Sequence, residues 1–413
     1  MLRSYILYFA ILVLAFILRV IFLEKVPQVL SLDEINLAVF FSGSIIGESV
    51  FFLRLASVIF GTVTIGVFYF LAKIFFIKIG IKKSFLPYTA MLLLALTPWH
   101  VQLSRVDLVA NVALLFLIII LIVIMKYFSG KMMIPLVLLG VLLLVYGIAG
   151  NYKKDSTEVY LLTAIEQTAS NRIAYSTSTP LSKIVHDKNI EKSKLYMRQA
   201  FGYIEPSKLF FAWDYNPSYV TKNSGLLYPL DIIFLGFGIA YLFKKNRQTF
   251  LLLLLFSAIV LLPPVFTGSS ADFNKVMLLF PIVILVVALG ARILITKINN
   301  KKIAIFLCVL YALTVARFYY HYYLVYPNDI SVEGEYKKVF IELNNKNIRK
   351  NIVIVDESFG RNIDRYALYY LRDAKKYSVV FEEPKKYISN TLYIRQVKNK
   401  DSDKFKLGIF EKK

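Results

Sequence analysis

Uninterrupted apolar runs of about 20 residues constrain this chain more than any other feature, because that length carries a helix across a membrane. The first runs from Tyr5 to Leu23, and comparable runs recur along residues 1–326. Hydrophobic residues make up 57% of the 413, and the mean hydropathy is +0.60. A water-soluble protein of this length could not bury so much apolar surface. A β-barrel would need alternating segments of about 10 residues, which the sequence lacks. The expected class is a polytopic α-helical membrane protein.

The runs divide into about nine transmembrane helices, near 5–23, 50–77, 84–98, 107–126, 131–150, 225–243, 249–266, 273–296 and 302–325. Pro98 should stop or kink the third. The first carries Arg19 and lacks a small-x-small cleavage site before Pro27, so it reads as a retained helix rather than a signal peptide. A single cysteine, Cys308, excludes an intrachain disulfide, and His100, His186 and His321 are too scattered for metal-ligand spacing. The net charge of +22 fits basic loops beside anionic lipid, not nucleic acid. No internal repeat suggests a transporter built from two halves.

Lysines and arginines set the orientation. Lys78, Lys82 and Lys83, then Lys126 and Lys131, then Lys244, Lys245 and Arg247, then Lys297, Lys301 and Lys302 all fall on one side, read as the cytoplasm. The other side receives the turn with Asp33 and Glu34, the turn with His100, Arg105 and Asp107, and the turn with Asp272 and Lys275. It also receives the long segment 151–224, expected to form short helices on the membrane surface, and the tail. In the tail, Asn351–Asp356, Thr391–Val397 and Phe405–Phe410 read as strands. Arg361–Leu371 and a stretch near 333–345 read as helices, giving a small extracytoplasmic α/β domain over 327–413.

Chemistry-bearing residues gather in the three outer turns. Asp33, Glu34 and Asp107 offer carboxylates able to take a proton or hold a divalent cation. Arg105 and Lys275 offer cations for a phosphate at lipid-headgroup depth. His100 and Asp272 stand beside them. Structural readings compete at each position. Asp33 and Glu34 could serve as N-cap and first-turn acid for Ile35–Phe41, and Asp107 and Asp272 could cap the helices they precede. Arg105 could snorkel to the interface and Lys275 could anchor there. Trp99 could belong to an aromatic belt and His100 could be a satisfied interfacial histidine.

Four stretches resemble the GT-C superfamily of membrane glycosyltransferases, most closely the family 39 type of the protein O-mannosyltransferases and the lipid A aminoarabinose transferases. They are Asp33-Glu34; Phe51–Lys73 with its Arg-Leu-x-Ser; Leu96–Phe116 with Pro-Trp, Ser-Arg and Asp; and Leu209–Phe243 followed by Leu261–Pro281. The tail is similar to the small outer domain that ends many bacterial members. The resemblance implies a polyprenyl-phosphate sugar donor and transfer to an extracytoplasmic lipid, glycan or protein by direct displacement at the plasma membrane. It implies Asp33 as base, Glu34 as its orienting or metal-binding neighbour, and Asp107 as the second acid. Arg105 and Lys275 would then grip the leaving lipid phosphate. One departure stands out: only Ile35–Val50 separates the acidic pair from the second helix, without the His-Pro-Pro-Leu-like segment of many members. Two rival readings are a flippase for lipid-linked sugars, for which Arg19 and Arg292 are the nearest intramembrane charges, and an inactive relative with a scaffold role.

Overall fold

A computed structural model describes residues 2–27, 30–41, 49–81, 85–127, 188–211, 221, 224–266, 277–298, 300–328, 337–342, 351–355, 377–380, 391–398 and 405–411. Their helices in chain order are α1 (Leu2–Val20), α2 (Leu32–Phe40), α3 (Val50–Lys78), α4 (Leu86–Leu96), α5 (Pro98–Val106) and α6 (Leu108–Tyr127). Then come α7 (Lys188–Tyr203), α8 (Pro206–Phe210), α9 (Pro229–Lys245), α10 (Arg247–Phe266), α11 (Phe280–Ile298) and α12 (Lys301–Tyr320). The chain is a helical membrane protein. Among the described residues, five segments are long and apolar enough to span: Arg3–Val20, Val50–Lys78, Leu108–Tyr127, Met277–Ile298 and Lys301–Val325. The expected span at 131–150 and the expected helix at Arg361–Leu371 lie outside the described residues.

Proline placement explains where the observed helices depart from the apolar runs. Pro98 disfavours helical backbone at Thr97, which sits at ψ 133° and divides α4 from α5. The expected span at 84–98 is therefore the 11-residue α4 followed by a separate short helix. The run at 225–243 becomes helical only at Pro229, which takes the first turn where its missing N–H costs nothing. The Asp231 carboxylate then accepts from the Tyr228 backbone N–H at 2.9 Å.

The long α3 is the hub, packing against α1, α4, α5 and α6. A Cβ on Gly61 of α3 would overlap the Cβ of Ser104 in α5, so glycine sets that close approach. A second pair, α9 and α11, meets through Gly238 and Gly290; a Cβ on either would collide with backbone of the facing helix. Lipid supplies little hydrophobic drive between helices, so small residues that let backbones touch do this work. The apolar faces of α1 and α12 remain largely uncovered, as expected of lipid-facing helices. Lys78, Lys244, Lys245, Arg247, Lys297, Lys301 and Lys302 stand at helix ends joined by short connections, so the basic residues gather at hairpin turns.

Within 151–224 the described helices are α7 and α8. In the tail, residues 337–342 are helical and four strands form one sheet in the order β2-β1-β3-β4. These are β1 (Asn351–Val355), β2 (Tyr377–Val380), β3 (Thr391–Lys398) and β4 (Phe405–Glu411). The β1 strand pairs parallel with β2 and β3, while β3 pairs antiparallel with β4. Three of these strands fall where the sequence pattern puts them, whereas β2 has too few residues to show a period.

Candidate functional site

Ser31 starts α2 with a capping box. Its hydroxyl accepts from the Glu34 N–H at 3.2 Å, and the Glu34 Oε2 accepts from the Ser31 N–H at 2.6 Å. The other carboxylate oxygen, Oε1, accepts from Arg54 Nε at 2.6 Å, in a pair whose side chains are 2% and 1% exposed. Arg54 Nη1 also donates to the carbonyls of Leu23 and Pro27 at 2.8 and 2.9 Å. One arginine in the first turns of α3 thus ties down both α2 and the chain leaving α1. Both Glu34 oxygens serve this arrangement. The cap residue is Ser31, two positions before the acidic pair. Asp33 is in the first turn of α2, and its side chain lies outside the described residues.

Asp107 caps α6: its Oδ1 accepts from the Ala110 N–H at 2.8 Å. Asn111, one turn later, donates to the Asp107 and Leu103 carbonyls at 2.6 and 3.1 Å and to Ser57 Oγ at 2.8 Å. Ser57 lies three residues after Arg54 on α3, which puts their Cβ atoms roughly 5–6 Å apart on one face. The acidic first turn of α2 and the acid-capped start of α6 therefore converge on neighbouring positions of a single helix.

Arg105 is fully buried and aims its guanidinium at the end of α1. Nη1 donates to the Arg19 and Ile21 carbonyls, both at 2.8 Å, and Nη2 donates to those of Phe22 and Val26 at 3.0 and 2.8 Å. The rings of Tyr322 and Tyr323 lie 5.5 and 5.3 Å from its central carbon. The Arg19 carbonyl lies in the last turn of α1, where the helix supplies no partner, and the other three lie in the turn that follows; that of Phe22 also accepts from the Lys25 and Val26 N–H groups at 3.0 and 2.9 Å. A cation here also meets the negative end of the helix dipole. The turn after α1 includes Phe22 at φ 53°, a left-handed conformation costing roughly 1–2 kcal/mol for a non-glycine residue. Arg105 is held by the fold in this way, so its charge is not presented to an open cleft as a phosphate grip would require.

Arg19 does the same for α4. Its Nη1 donates to the Ala95 carbonyl at 3.2 Å and to its own helix at Ala15 at 2.9 Å, while Nε donates to Ser104 Oγ at 2.7 Å. Its Nη2 lies 2.7 Å from His100 Nδ1. A guanidinium can only donate, so Nδ1 accepts and the imidazole proton sits on Nε2, which has no partner among the described residues. Burial, and then the Arg19 charge, push the His100 pKa well below the ordinary histidine value. His100 is a neutral interior residue, not an interfacial one. Trp99 is likewise interior, stacked on Phe280 at 5.1 Å, not part of a belt.

Asp272 and Lys275 lie outside the described residues. The helical segment 337–342 comes close: Lys337 feels both Arg54 and Glu34. Burial, then Arg54, hold its pKa below the ordinary lysine value, with Glu34 acting the other way. Of the three acids named for a divalent cation, Asp33 has its side chain outside the described residues, and the fold engages the other two. Both Glu34 oxygens are engaged and Asp107 Oδ1 caps α6. Among the described residues no cluster of three potential ligands occurs.

No protein-family model matches the chain, and no curated protein matches it either.

The sequence offered Arg54 and Ser57 only as the ends of Arg-Leu-x-Ser and Arg19 only as an intramembrane charge, and Asn111 not at all; their meeting in one assembly was missed. The available signal was polar side chains inside otherwise apolar helices, which must find partners there.

Proposed function

We propose that the chain is a GT-C type glycosyltransferase of the plasma membrane, with about nine transmembrane helices and its site and small C-terminal α/β domain outside the cytoplasm. The observation that supports this reading is the convergence of two acid-bearing turns on Arg54 and Ser57 of α3, with Asp33 adjacent to the locked Glu34. In the proposed reaction an acceptor hydroxyl attacks the anomeric carbon of a polyprenyl-phosphate sugar. The carbon–oxygen bond to phosphate breaks, the lipid phosphate departs with the electron pair, and the hydroxyl proton passes to the Asp33 carboxylate. Glu34 and Arg105 act as positioning residues, the first fixing α2 and the second fixing the turn after α1. Lys275 is the cation proposed for the leaving phosphate.

The test uses membranes containing the chain or its Asp33→Asn variant with radiolabelled polyprenyl-phosphate sugars. Label should reach an acceptor or water with the unaltered chain and fall at least 100-fold in the variant. Equal label in both sinks the base assignment, and label crossing the bilayer with its phosphate bond intact makes the chain a flippase. A second reading, a scaffold without turnover, is favoured by one observation: Glu34, Asp107 and Arg105 all have structural partners. It predicts no transfer from any donor.

A further inference from the structure

Beside the last turns of α12 lies a cavity of about 300 Å³, within the size range of small-molecule sites. Phe210, Phe211, Tyr228 and Phe318 give it aromatic walls, and Arg317 and His321 supply its cationic edge. Thr314, Arg317, Phe318 and His321 follow the spacing of a single helical stripe, so all four face the cavity together. A π-helical turn begins at His321 and runs to Val325, a local widening that is frequent at functional sites.

The opposite wall is rigid. Leu227 N–H donates to the Leu209 carbonyl at 2.8 Å, and Trp99 N–H donates to that of Leu226 at 3.3 Å. A Cβ at Gly225 would collide with the Phe210 backbone, so this loop lies directly on α8. The cavity is therefore preformed. Neither the Arg317 nor the His321 side chain has a hydrogen-bond or ion-pair partner among the described residues.

Depth narrows the ligand. Arg317 stands 16 residues beyond Lys301, about 24 Å along α12 at 1.5 Å per residue. Lys301 and Lys302 mark one edge of a hydrocarbon layer about 30 Å thick, so His321, 20 residues on, stands at the other edge, and Arg317, about 6 Å short of it, reaches headgroup level by extending its side chain. Ile305, Val309 and Leu313 are exposed and lead to Arg317 at intervals of four residues, an apolar rail along the lipid-facing side. A guanidinium fork beside an imidazole suits an oxyanion, and the abundant oxyanion at this depth is phosphate.

We propose that this cavity is a binding site for a phosphate-headed amphiphile. The phosphate lies against Arg317 and His321, and the chain runs down the α12 rail. An unliganded Arg317 would merely anchor α12 at the interface, and the experiment separates the two roles. The site stands independently of the transferase reading, because binding is measured without turnover.

The full chain in maltoside micelles is titrated with dodecyl phosphate by calorimetry, with dodecanol, dodecanoate and inorganic phosphate as parallel ligands. Dodecyl phosphate should bind saturably, at least 10-fold more tightly than dodecanol or dodecanoate. Arg317→Gln should weaken it at least 10-fold, and His321→Gln several-fold, whereas Lys301→Gln at the other membrane edge leaves it unchanged. Thermal unfolding of each variant confirms the fold, since Arg317 is exposed and His321 half-exposed. Displacement by inorganic phosphate at matched concentration keeps the anion site and makes its natural ligand a soluble phosphate. Unchanged affinity in Arg317→Gln, or equal binding of dodecanol or dodecanoate, overturns the proposal.

Discussion

Replacing Arg54 by methionine isolates the most consequential contact in the protein. The Glu34 carboxylate, 2% exposed, would keep the Ser31 backbone N–H at 2.6 Å and the charge of the part-buried Lys337 to offset its loss of water. Leaving a buried carboxylate without its cation costs about 3–5 kcal/mol. Glu34→Gln should cost less, about 2 kcal/mol, since a neutral amide can still accept from Arg54. Arg54 also keeps the Leu23 and Pro27 carbonyls as acceptors. Combining Arg54→Met with Glu34→Gln removes both charges, so the double variant should be more stable than the sum of the single losses predicts, by about 1–3 kcal/mol. The assay is reversible unfolding of the detergent-solubilised protein in mixed micelles of increasing SDS fraction, run on all four corners of the cycle. An Arg54→Met loss below about 1 kcal/mol, or losses that simply add, would mean that water or another cation reaches Glu34 and that the pair does not fix α2.

Three further outcomes follow from the same contacts. Arg105→Lys should destabilise by roughly 2–4 kcal/mol in the same unfolding assay, because an ammonium cannot span carbonyls from Arg19 to Val26 as a fork does. Asp107→Asn should leave stability within about 0.5 kcal/mol while Asp107→Ala loses about 1 kcal/mol of capping; transfer lost in Asp107→Asn with stability intact would give this carboxylate a chemical role besides its cap. At Lys337 the folded chain binds fewer protons than the unfolded one between the lowered folded pKa and the ordinary 10.5, so stability rises with pH across that window and is level below it, where both states carry the proton. Hydrogen exchange at 337–342 should therefore slow, relative to intrinsic rates, as pH rises through it. Lys337→Met should abolish the dependence.

Apolar runs long enough to span were legible because the bilayer selects on composition and length alone, and neither requires knowledge of a partner. Proline fixed the breaks at Thr97 and before Pro229 for an equally local reason. The capping roles of Glu34 and Asp107 were within reach too, since a cap acts within three or four residues. Arg105 was not. Its spacing from Asp107 suggested an outward-facing pair, but its partners are carbonyls at positions 19–26, some 80 residues earlier. Backbone carbonyls leave no mark in a sequence, so an arginine that serves them looks the same as one that awaits a ligand. Arg54 and Glu34 were each visible as a charge, but only the folded turn between α1 and α3 brings them together.

Three arginines buried among the described residues share one logic that bears on Asp33. Arg19 meets the C-terminal carbonyls of α4, Arg105 meets those of α1, and Arg54 meets the turn after α1 together with Glu34. Two of them have no carboxylate partner among the described residues; helix ends and carbonyls carry the compensating negative charge. Such charges are costly in a membrane protein unless fully satisfied, and here they are spent on holding the short helices α2 and α5 against the spans. The result is a stiff frame around the acidic turns. Stiffness matters little to a lipid-facing anchor but much to proton transfer, which needs its base within about 3 Å of the reacting hydroxyl. A frame that fixes Glu34 from both oxygens fixes the backbone of Asp33 beside it. Activity, where it exists, should therefore fall in Arg54→Met even among molecules that remain folded.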